Sequence, residues 1–400
     1  MPDSPFRRVR ALLARPGVLW RLRRLRALED WTGARIAYGN RVEVFHRGRD
    51  AFDSIERAIA AAHRGIAIEM YTWADDRLGR RVAEAVAERV RAGVPAFVIL
   101  DAFGSLGSTG IERILTAAGA EVVWYHPLLP WTQRWFPNRR DHRKLVLVDG
   151  EVVFAGGMNV AEPYSDEFAG ASAWRDLSVR VEGPAVRDAL RLFLGTWARA
   201  GGDLQGPAGL AVASPDRGRA GVQFVGGRGL LGRRKLRHSH LATLAQARRR
   251  VLVANAYFVP EAPLRRQLVR AARAGVRVDL LLPGATDVPL VRWASRATYG
   301  ALLEAGIRIR EHRGPVLHAK AAVFDDEIVV TGSANLDYRS YRHNLEVSVS
   351  VFDREAARVA SEGLERDFDA AESIELAVWR ARGTAERLRE RVATLLRYWL

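Results

Sequence analysis

The chain of 400 residues is 48% hydrophobic and 27% charged, proportions typical of a globular protein with room for two domains. It contains no cysteine, which excludes disulfide bonds, a thiolate nucleophile and Cys-ligated metal centres. The net charge of +16 favours an anionic partner, and charge alone leaves nucleic acid and an acidic lipid surface both open.

Two features of the sequence bear on location. No run of about 18 or more apolar residues occurs, so a membrane-spanning helix is not expected. The N-terminal stretch is rich in arginine and lacks the apolar core of a secretory signal. We therefore expect a peripheral protein on the cytoplasmic side of the cell membrane.

Both ends of the chain are basic and amphipathic. The segment from Phe6 to Leu28 carries eight arginines among spaced apolar residues, with Pro16 as the expected break. Near the C-terminus one helical face is apolar and the others carry arginine: Leu388, Val392, Leu395, Leu396 and Trp399 against Arg387, Arg389, Arg391 and Arg397. Each end could dock on its own domain or contact a membrane, and the pattern leaves both open.

Between these ends the same order of elements is predicted twice, as helix, strand, helix and strand. The predicted ranges are 51–63, 65–71, 78–92 and 95–101 in the first half, and 239–249, 251–257, 262–274 and 277–282 in the second. A tandem duplication of one α/β unit explains this pattern, with a join in the stretch 201–219. The expected divisions are a basic segment 1–34, two domains over 35–205 and 206–372, and a basic helix 373–400.

Each half then reaches the same histidine motif at the same spacing. The members are His142, Lys144, Asp149, Gly156 and Asn159 in the first half, and His318, Lys320, Asp325, Gly332, Ser333 and Asn335 in the second. With nine histidines and only three lysines in the chain, chance predicts about 0.07 His-x-Lys pairs, against two observed. The doubled set therefore indicates a functional site.

The spacing places each histidine and its lysine on one face of a strand, because side chains alternate with a period of two. If the halves face each other, both pairs meet in one cleft suited to a phosphodiester. The ammonium groups would neutralise phosphate oxygens, and Asn159, Ser333 and Asn335 would donate hydrogen bonds as charge builds up. One neutral imidazole would attack phosphorus while the other protonates the leaving alkoxide, which requires no metal ion or other cofactor.

A nucleophilic histidine needs a partner, usually a carboxylate, that fixes its tautomer. Asp176 and Glu346 occupy matching places downstream of the two motifs, each near the start of an alternating, strand-like segment. We expect these two acids to orient the histidines, although either acid alone would pass for a surface residue.

The doubled pattern resembles the phospholipase D superfamily, and several strings are similar to those of its bacterial cardiolipin synthases. These strings are 138–144, 257–260, 281–284 and 332–340, within a resemblance from Gly39 to Phe352. The resemblance implies two tandem α/β domains, each a mixed sheet flanked by helices, related by a pseudo-two-fold axis and sharing one active site. It also implies a phosphohistidine and transfer of a phosphatidyl group to an alcohol. The implied catalytic set is His142, Lys144, Asp149, His318, Lys320 and Asp325, with the two aspartates chiefly supporting the site.

The resemblance also bears on the membrane and on function. Many relatives begin with membrane-spanning helices, so this sequence resembles the shorter, peripheral members. We expect a phosphatidyltransferase that acts on anionic phospholipids at a membrane surface, with phosphatidylglycerol as acceptor. A hydrolytic phospholipase D or a nuclease would use the same chemistry with water, nucleic acid being the less expected partner, and a non-catalytic binding module is the weakest alternative. No obligate protein partner is inferred.

Three other patterns receive structural interpretations. The string 227–232 fits GxGxxG, but no acid follows where a ribose partner would be needed, so we expect a basic loop. His238 and His240 form one weak His-x-His pair, which we interpret as the polar start of a helix. The aromatic stretch 124–136 is expected to pack, with a hydrophobic rim for acyl chains as the alternative.

Overall fold

The two halves of the chain build mixed β-sheets of the same strand order. The structure is a computed structural model that describes residues 18–127, 139–226, 229–286 and 288–396. The strands of the first half are β1 (Ala37–Phe45), β2 (Ile66–Met70), β3 (Ala96–Asp101), β4 (Glu121–Tyr125), β5 (Lys144–Val148), β6 (Val152–Gly156) and β7 (Ser178–Glu182). They lie in the order β1-β7-β6-β5-β2-β3-β4, with β2, β3 and β4 parallel and the other neighbours antiparallel.

The second half repeats this order. Its strands are β8 (Ala220–Gly226), β9 (Arg250–Asn255), β10 (Arg277–Pro283), β11 (Arg308–His312), β12 (Lys320–Phe324), β13 (Ile328–Gly332), β14 (Val347–Phe352) and β15 (Glu372–Ser373). The order is β8-β14-β13-β12-β9-β10-β11, with β15 added at the outer edge. Because β1 also pairs antiparallel with β8, the two sheets join into one sheet of 15 strands.

Helices cover this sheet and connect its strands. The first half has α1 (Val18–Thr32), α2 (Gly48–Ala60), α3 (Arg77–Arg91), α4 (Thr109–Ala118), α5 (Asp166–Ala169), α6 (Val186–Ala200) and α7 (Gln205–Ala208). The second has α8 (Gly229–Gln246), α9 (Ala262–Arg273), α10 (Pro289–Arg296), α11 (Tyr299–Glu304), α12 (Tyr338–Arg342), α13 (Arg354–Ala370), α14 (Leu376–Arg380) and α15 (Thr384–Leu395). Short 3₁₀ turns occupy Glu162–Tyr164 and Gly170–Ser172.

Burial along the strands follows their position in the sheet. Strands β2 and β3 are buried at every residue, as expected for parallel strands covered on both faces. The largest core cluster draws on both halves, with Phe193 and Trp197 of α6 and Leu364 and Phe368 of α13 fully buried in it. The two halves therefore share one core, which fixes their relative position and that of anything lying between them.

Seven of the eight helices and strands predicted from periodicity are confirmed with boundaries that differ by at most about three residues, and the helix predicted over 239–249 is confirmed but begins ten residues earlier, at Gly229. The loop predicted for 227–232 is wrong from Gly229 onward, because α8 begins there and buries Leu236 and Leu244 two turns apart. His238 and His240 accordingly lie well inside this helix rather than at its start. Residues 227 and 228 lie outside the described residues.

The N-terminal segment is in part docked on the rest of the protein. Helix α1 packs on α8, where Leu28 is buried against Ala242 and Phe352, so this part of the N-terminal segment docks on its own protein. The rest of that segment, residues 1–17, and Arg397 and Trp399 lie outside the described residues. Across the described ranges, no helix has both the length and the apolar character needed to cross a bilayer.

The aromatic stretch is described only as far as residue 127. Tyr125 is buried and stacks on His126, and the indole of Trp124 donates to Glu112 at 2.7 Å, so these rings pack as expected. Residues 128–138, which contain the remaining aromatic side chains of the stretch, lie outside the described residues.

Candidate active site

Each histidine motif is held in place by the opposite half of the chain. The backbone N–H of His142 donates to the carbonyl oxygen of Leu345 at 2.9 Å, and that of His318 donates to the carbonyl oxygen of Arg175 at 2.8 Å. The residue after each acceptor is one of the two predicted orienting carboxylates. Crossed pairing of the halves therefore brings each histidine next to an acid that is distant in sequence.

The imidazole of His142 is oriented by Glu346. Its Nδ1 lies 3.0 and 3.1 Å from the two carboxylate oxygens and 3.1 Å from the carbonyl oxygen of Ser333. All three partners are acceptors, so Nδ1 carries the proton, and Nε2 keeps its lone pair in the neutral ring. Burial lowers the pKa of His142 to about 4, against the opposing charge of Glu346. The neutral ring is therefore the form present at neutral pH.

Glu346 stays ionised although it is fully buried. Burial alone would raise the pKa of this carboxyl group, but the contact with His142, the charge of Lys144 and the Ser333 hydroxyl bring that pKa below its usual value. The Asn344 amide also donates to Glu346, at 3.2 Å. The pair is thus a neutral imidazole donating to a fixed carboxylate.

The imidazole of His318 faces Asp176 from the first half. Its Nδ1 lies 2.7 Å from the carboxylate oxygen of Asp176, and the Tyr164 hydroxyl lies 3.3 Å from Nε2. Burial raises the pKa of Asp176 to about 7, which Lys320 and the backbone N–H of Leu177 only partly offset. Burial thus disfavours ionisation of Asp176, whereas the contacts of Glu346 favour its ionised form.

The predicted phosphate donor Ser333 does not reach the cavity. Its buried hydroxyl donates to Glu346 and accepts from the backbone N–H of Val347 at 3.0 Å, so it positions the carboxylate instead. The matching residue, Gly157, lies against the shorter Asp176, where an added Cβ would come within 2.3 Å of a carboxylate oxygen. The difference between glycine and serine thus matches the difference in length between the two acids.

Both motif lysines lie beneath the histidines and are buried. Lys144 Nζ donates to the carbonyl oxygen of His142 at 2.6 Å, and burial lowers the pKa of Lys144 to about 7. Lys320 Nζ donates to the carbonyl oxygen of His318 and lies 2.9 Å from its Nδ1. Neither lysine is among the residues that line the cavity, so any charge on them acts from behind its wall.

Placing Asp149 and Asp325 in the catalytic set needs correction. Each follows its strand at the end away from the histidine, about 17 Å from the lysine at roughly 3.3 Å per residue. Asp149 accepts hydrogen bonds from the backbone N–H groups of residues 63, 64 and 65, and Asp325 from those of 248, 249 and 250. Both adopt a left-handed backbone, with φ of 56° and 54°. They fix the turn before β2 and β9.

One cavity of about 610 Å³ connects the two motifs. His142, His318, Asn159 and Asn335 all line it. The Asn159 amide donates to the Tyr164 hydroxyl at 2.7 Å, and the side-chain oxygen of Asn335 has no hydrogen-bond partner among the described residues. Among the same residues, no group of three or more histidine and acidic side chains is arranged to bind a metal ion.

Several residues of the cavity wall were not predicted from the sequence. Tyr71 contacts the His142 ring edge-on at 4.7 Å, while Tyr164 and Trp174 contact the His318 ring at 5.2 and 5.5 Å. The cavity is also lined by Arg339, which stands in a string that carries the family resemblance, and by Asn344; neither received a role from the sequence. Trp174 and Asn344, each two residues before an orienting acid, could have been found by comparing the repeats.

A duplicated α/β unit whose two His-x-Lys motifs meet in one cavity is the arrangement expected of a phospholipase D superfamily enzyme. Residues 55–167 and 241–368 match the family described as cardiolipin synthase, PLD-like domain. The chain belongs to this family and is an enzyme of the phospholipase D superfamily.

Several curated cardiolipin synthases are similar over most of this chain. Cardiolipin synthase B of Escherichia coli (strain K12) is 34% identical over 327 residues, covering 79% of this chain and 77% of the relative. Cardiolipin synthase of Geobacillus kaustophilus (strain HTA426) is 32% identical over 366 residues, covering 90% of this chain and 72% of the relative. The family resemblance seen in the motifs is therefore confirmed.

Solved structures support the fold. Phosphatidylserine synthase of Haemophilus influenzae Rd KW20 matches with a TM-score of 0.72 at 13% identity, covering 94% of this chain and 100% of that one. Polyphosphate kinase of Porphyromonas gingivalis matches with a TM-score of 0.55 at 16% identity, covering 88% of this chain and 53% of that one. Because proteins with different activities share this fold, activity must be argued from the site.

Proposed function

We propose that this protein is a phosphatidyltransferase of the cardiolipin synthase type. It transfers a phosphatidyl group between phospholipids, with phosphatidylglycerol as the acceptor and a phosphohistidine as the intermediate. The observation that carries the proposal is that two histidines, each hydrogen-bonded to a carboxylate from the opposite half, line one cavity. The names of the similar proteins support the substrate class.

In the first step His142 is the nucleophile. Its Nε2 lone pair attacks phosphorus, a P–N bond forms and the bond from phosphorus to the departing alcohol breaks. Glu346 stabilises the positive charge that develops on the ring, because it accepts the Nδ1 proton. The alkoxide takes its proton from His318, which the pair with Asp176 keeps supplied near neutral pH.

The second step reverses the proton movement. The acceptor hydroxyl gives its proton to His318 as its oxygen attacks phosphorus, the P–N bond breaks, and His142 leaves as a neutral ring. Each step breaks one bond to phosphorus and forms another, so the balance needs no further reactant. Water in place of the alcohol would give hydrolysis by the same route.

Amide groups in the cavity and two buried lysines stabilise the negative charge of the pentacoordinate transition state. Asn159 and Asn335 line the cavity and offer amide donors, while the cations of Lys144 and Lys320 lie directly below the imidazoles. Buried charges of this kind act strongly because little water screens them.

The proposed membrane attachment rests on α15. One face of this helix is buried, with Ala393 packed against Val291, and Val291 in turn lines the cavity. The opposite face exposes Leu388, Val392 and Leu395, which are 63%, 50% and 81% exposed. Arg387, Arg389 and Arg391 beside this stripe are also exposed. An apolar stripe flanked by arginines suits an anionic lipid surface next to the cavity.

Activity is tested with purified protein and phosphatidylglycerol vesicles. Wild-type protein should release glycerol and form cardiolipin, while His142→Ala should do neither and should carry no phosphorus after an acid-free quench. If His142→Ala kept the wild-type rates, the assignment of His142 as the nucleophile would be contradicted. Glycerol release without any cardiolipin would instead identify a hydrolase, and DNA cleavage without lipid would identify a nuclease.

Membrane attachment is tested by flotation with vesicles of phosphatidylglycerol and phosphatidylcholine. Leu388→Glu combined with Leu395→Glu should weaken binding to the anionic vesicles at least tenfold, since each buried leucine contributes about 1.5–3 kcal/mol. Leu204→Glu, at an exposed leucine outside this helix, is the matched control. Equal binding by the double variant and the control would contradict the assignment to α15.

A further inference from the structure

The two walls of the cavity differ although the two motifs repeat. At matching positions of the repeat, the first half contributes Ala161, Pro163, Tyr164 and Trp174, and the second half contributes Asp337, Arg339, Ser340 and Asn344. At these four positions the side chains from the first half are apolar or aromatic and those from the second half are polar or charged, although the catalytic residues are alike. A site that used both sides in the same way would not need this difference.

Each wall belongs to one histidine. Tyr164 and Trp174 contact the ring of His318, so the apolar wall lies over that residue. The polar wall lies over His142, because the Asn344 amide donates to the carboxylate that orients this histidine. The proposed acid is therefore flanked by Tyr164 and Trp174, whereas the proposed nucleophile is flanked by Tyr71 and by the polar contacts of Glu346.

Arg339 is the cation on the polar wall. Burial raises the pKa of Tyr71 to about 12, the charge of Asp101 adds to this rise, and the nearby guanidinium of Arg339 opposes it. Arg339, Tyr71 and His142 line the same cavity, and the Tyr71 ring contacts that of the nucleophile.

The charge of Arg339 opposes the rise in the pKa of Asp337 that burial causes. Among residues 18–127, 139–226, 229–286 and 288–396, no carboxylate forms an ion pair or hydrogen bond with its guanidinium, which is only half-buried. The neighbouring Asp337 accepts instead from the backbone N–H of Ser340 at 2.7 Å. A second arginine that lines the cavity, Arg140 of the first half, is buried and donates to the carbonyl oxygen of His126.

We propose that Arg339 binds a second phosphate group, the one already present in the acceptor, and so selects an anionic glycerophospholipid over neutral alcohols and water. This proposal rests on the proposed function. A three-carbon bridge joins an acceptor hydroxyl to its own phosphate, so the hydroxyl and that phosphate can both lie within the cavity that His142 and Arg339 line. A guanidinium is suited to this ligand because it can bind two phosphate oxygens at once.

The test uses competition between acceptors for one phosphohistidine. Phosphatidylglycerol vesicles serve as donor, and the acceptors offered together are phosphatidylglycerol itself, soluble glycerol phosphate and ethanol. Mass analysis of the products gives the ratio of cardiolipin to phosphatidylethanol and of phosphatidylglycerophosphate to phosphatidylethanol. These ratios depend on the second step alone, and they separate a lipid phosphate from a free one.

Arg339→Gln should lower both ratios about tenfold or more, as expected for loss of a charge-assisted hydrogen bond, and Arg339→Lys should restore part of the loss. Arg187→Gln, at an exposed arginine outside the cavity, should leave them unchanged. A fall only in the cardiolipin ratio would restrict the subsite to a lipid acceptor and support the proposal for that source.

Two results would overturn the inference. If Arg339→Gln lowers all products equally, Arg339 acts on the reacting phosphate and the second subsite is refuted. If wild-type protein forms phosphatidylethanol but no product with a second phosphate, the subsite fails while phosphatidyl transfer stands. Absence of every product with wild-type protein would refute the proposed function and the subsite with it.

Discussion

Replacing Glu346 by glutamine removes one charge from the site while keeping the shape of the side chain. In the native protein both carboxylate oxygens face donors, namely His142 Nδ1, the Ser333 hydroxyl and the Asn344 amide. A glutamine must turn its NH₂ group toward some of these donors. The Nδ1 proton of His142 then loses a charged acceptor at the moment when the ring becomes positive.

The size of the effect follows from the kind of hydrogen bond that is lost. A hydrogen bond to a charged group is worth about 1.5–3 kcal/mol. At about 1.4 kcal/mol for each factor of ten, Glu346→Gln should slow the first turnover about 10- to 150-fold. Ser333→Ala keeps the charge and loses one hydrogen bond of about 1 kcal/mol, so it should slow the reaction only about fivefold.

The assay is rapid mixing with labelled phosphatidylglycerol and measurement of glycerol released in the first turnover. Glu88→Gln on an exposed face of α3 is the matched control, and thermal unfolding verifies that each variant is folded. A folded Glu346→Gln protein with a rate within about twofold of wild type would refute the assignment of the carboxylate. So would a larger loss for Ser333→Ala than for Glu346→Gln.

Three further predictions concern pH and two structural residues. First-turnover rate should rise with pH through about 4, as His142 loses its proton, and fall above about 7, as the pair containing Asp176 loses its own; Asp176→Asn should move the fall to lower pH, because His318 then lacks the carboxylate that stabilises its proton, and a flat profile would contradict the roles. Asp149→Ala should lower the free energy of unfolding in urea by about 2–4 kcal/mol, because backbone N–H groups lose a charged acceptor at a left-handed residue, while activity per folded molecule is kept; loss of activity without loss of stability would contradict this. Gly157→Ala should slow glycerol release at least tenfold by displacing Asp176, whereas Gly383→Ala, with open space around it, should not; equal rates would show that the contact is harmless.

The chemistry of the site was predictable because the spacing of its histidines and lysines along the sequence indicates it. A histidine and a lysine two residues apart share a strand face wherever the strand lies, so both pairs could be identified before the fold was known. The expectation that Asp176 and Glu346 lie beside the histidines agrees with the structure. Their roles in catalysis stay predictions.

Other members of the motif were misplaced for a physical reason. Repetition at a fixed interval shows that a residue is needed, but not whether it faces the cavity or the backbone behind it. Asp149 and Ser333 repeat or align with the motif, yet one caps a turn and the other holds a carboxylate. The first ten residues of α8 were not predicted to be helical because basic residues and glycines hid their apolar spacing, which burial of Leu236 reveals.

The sequence by itself determined that one α/β unit occurs twice and that each copy carries a histidine and a lysine on a strand. Only the tertiary structure decided which acid serves which histidine, because that pairing crosses between halves: Glu346 serves His142, and Asp176 serves His318. It also decided which side chains line the cavity and the opposite directions in which the pKa values of Glu346 and Asp176 move. Burial and charge set those properties, and both depend on neighbours that are more than 140 residues away in the chain.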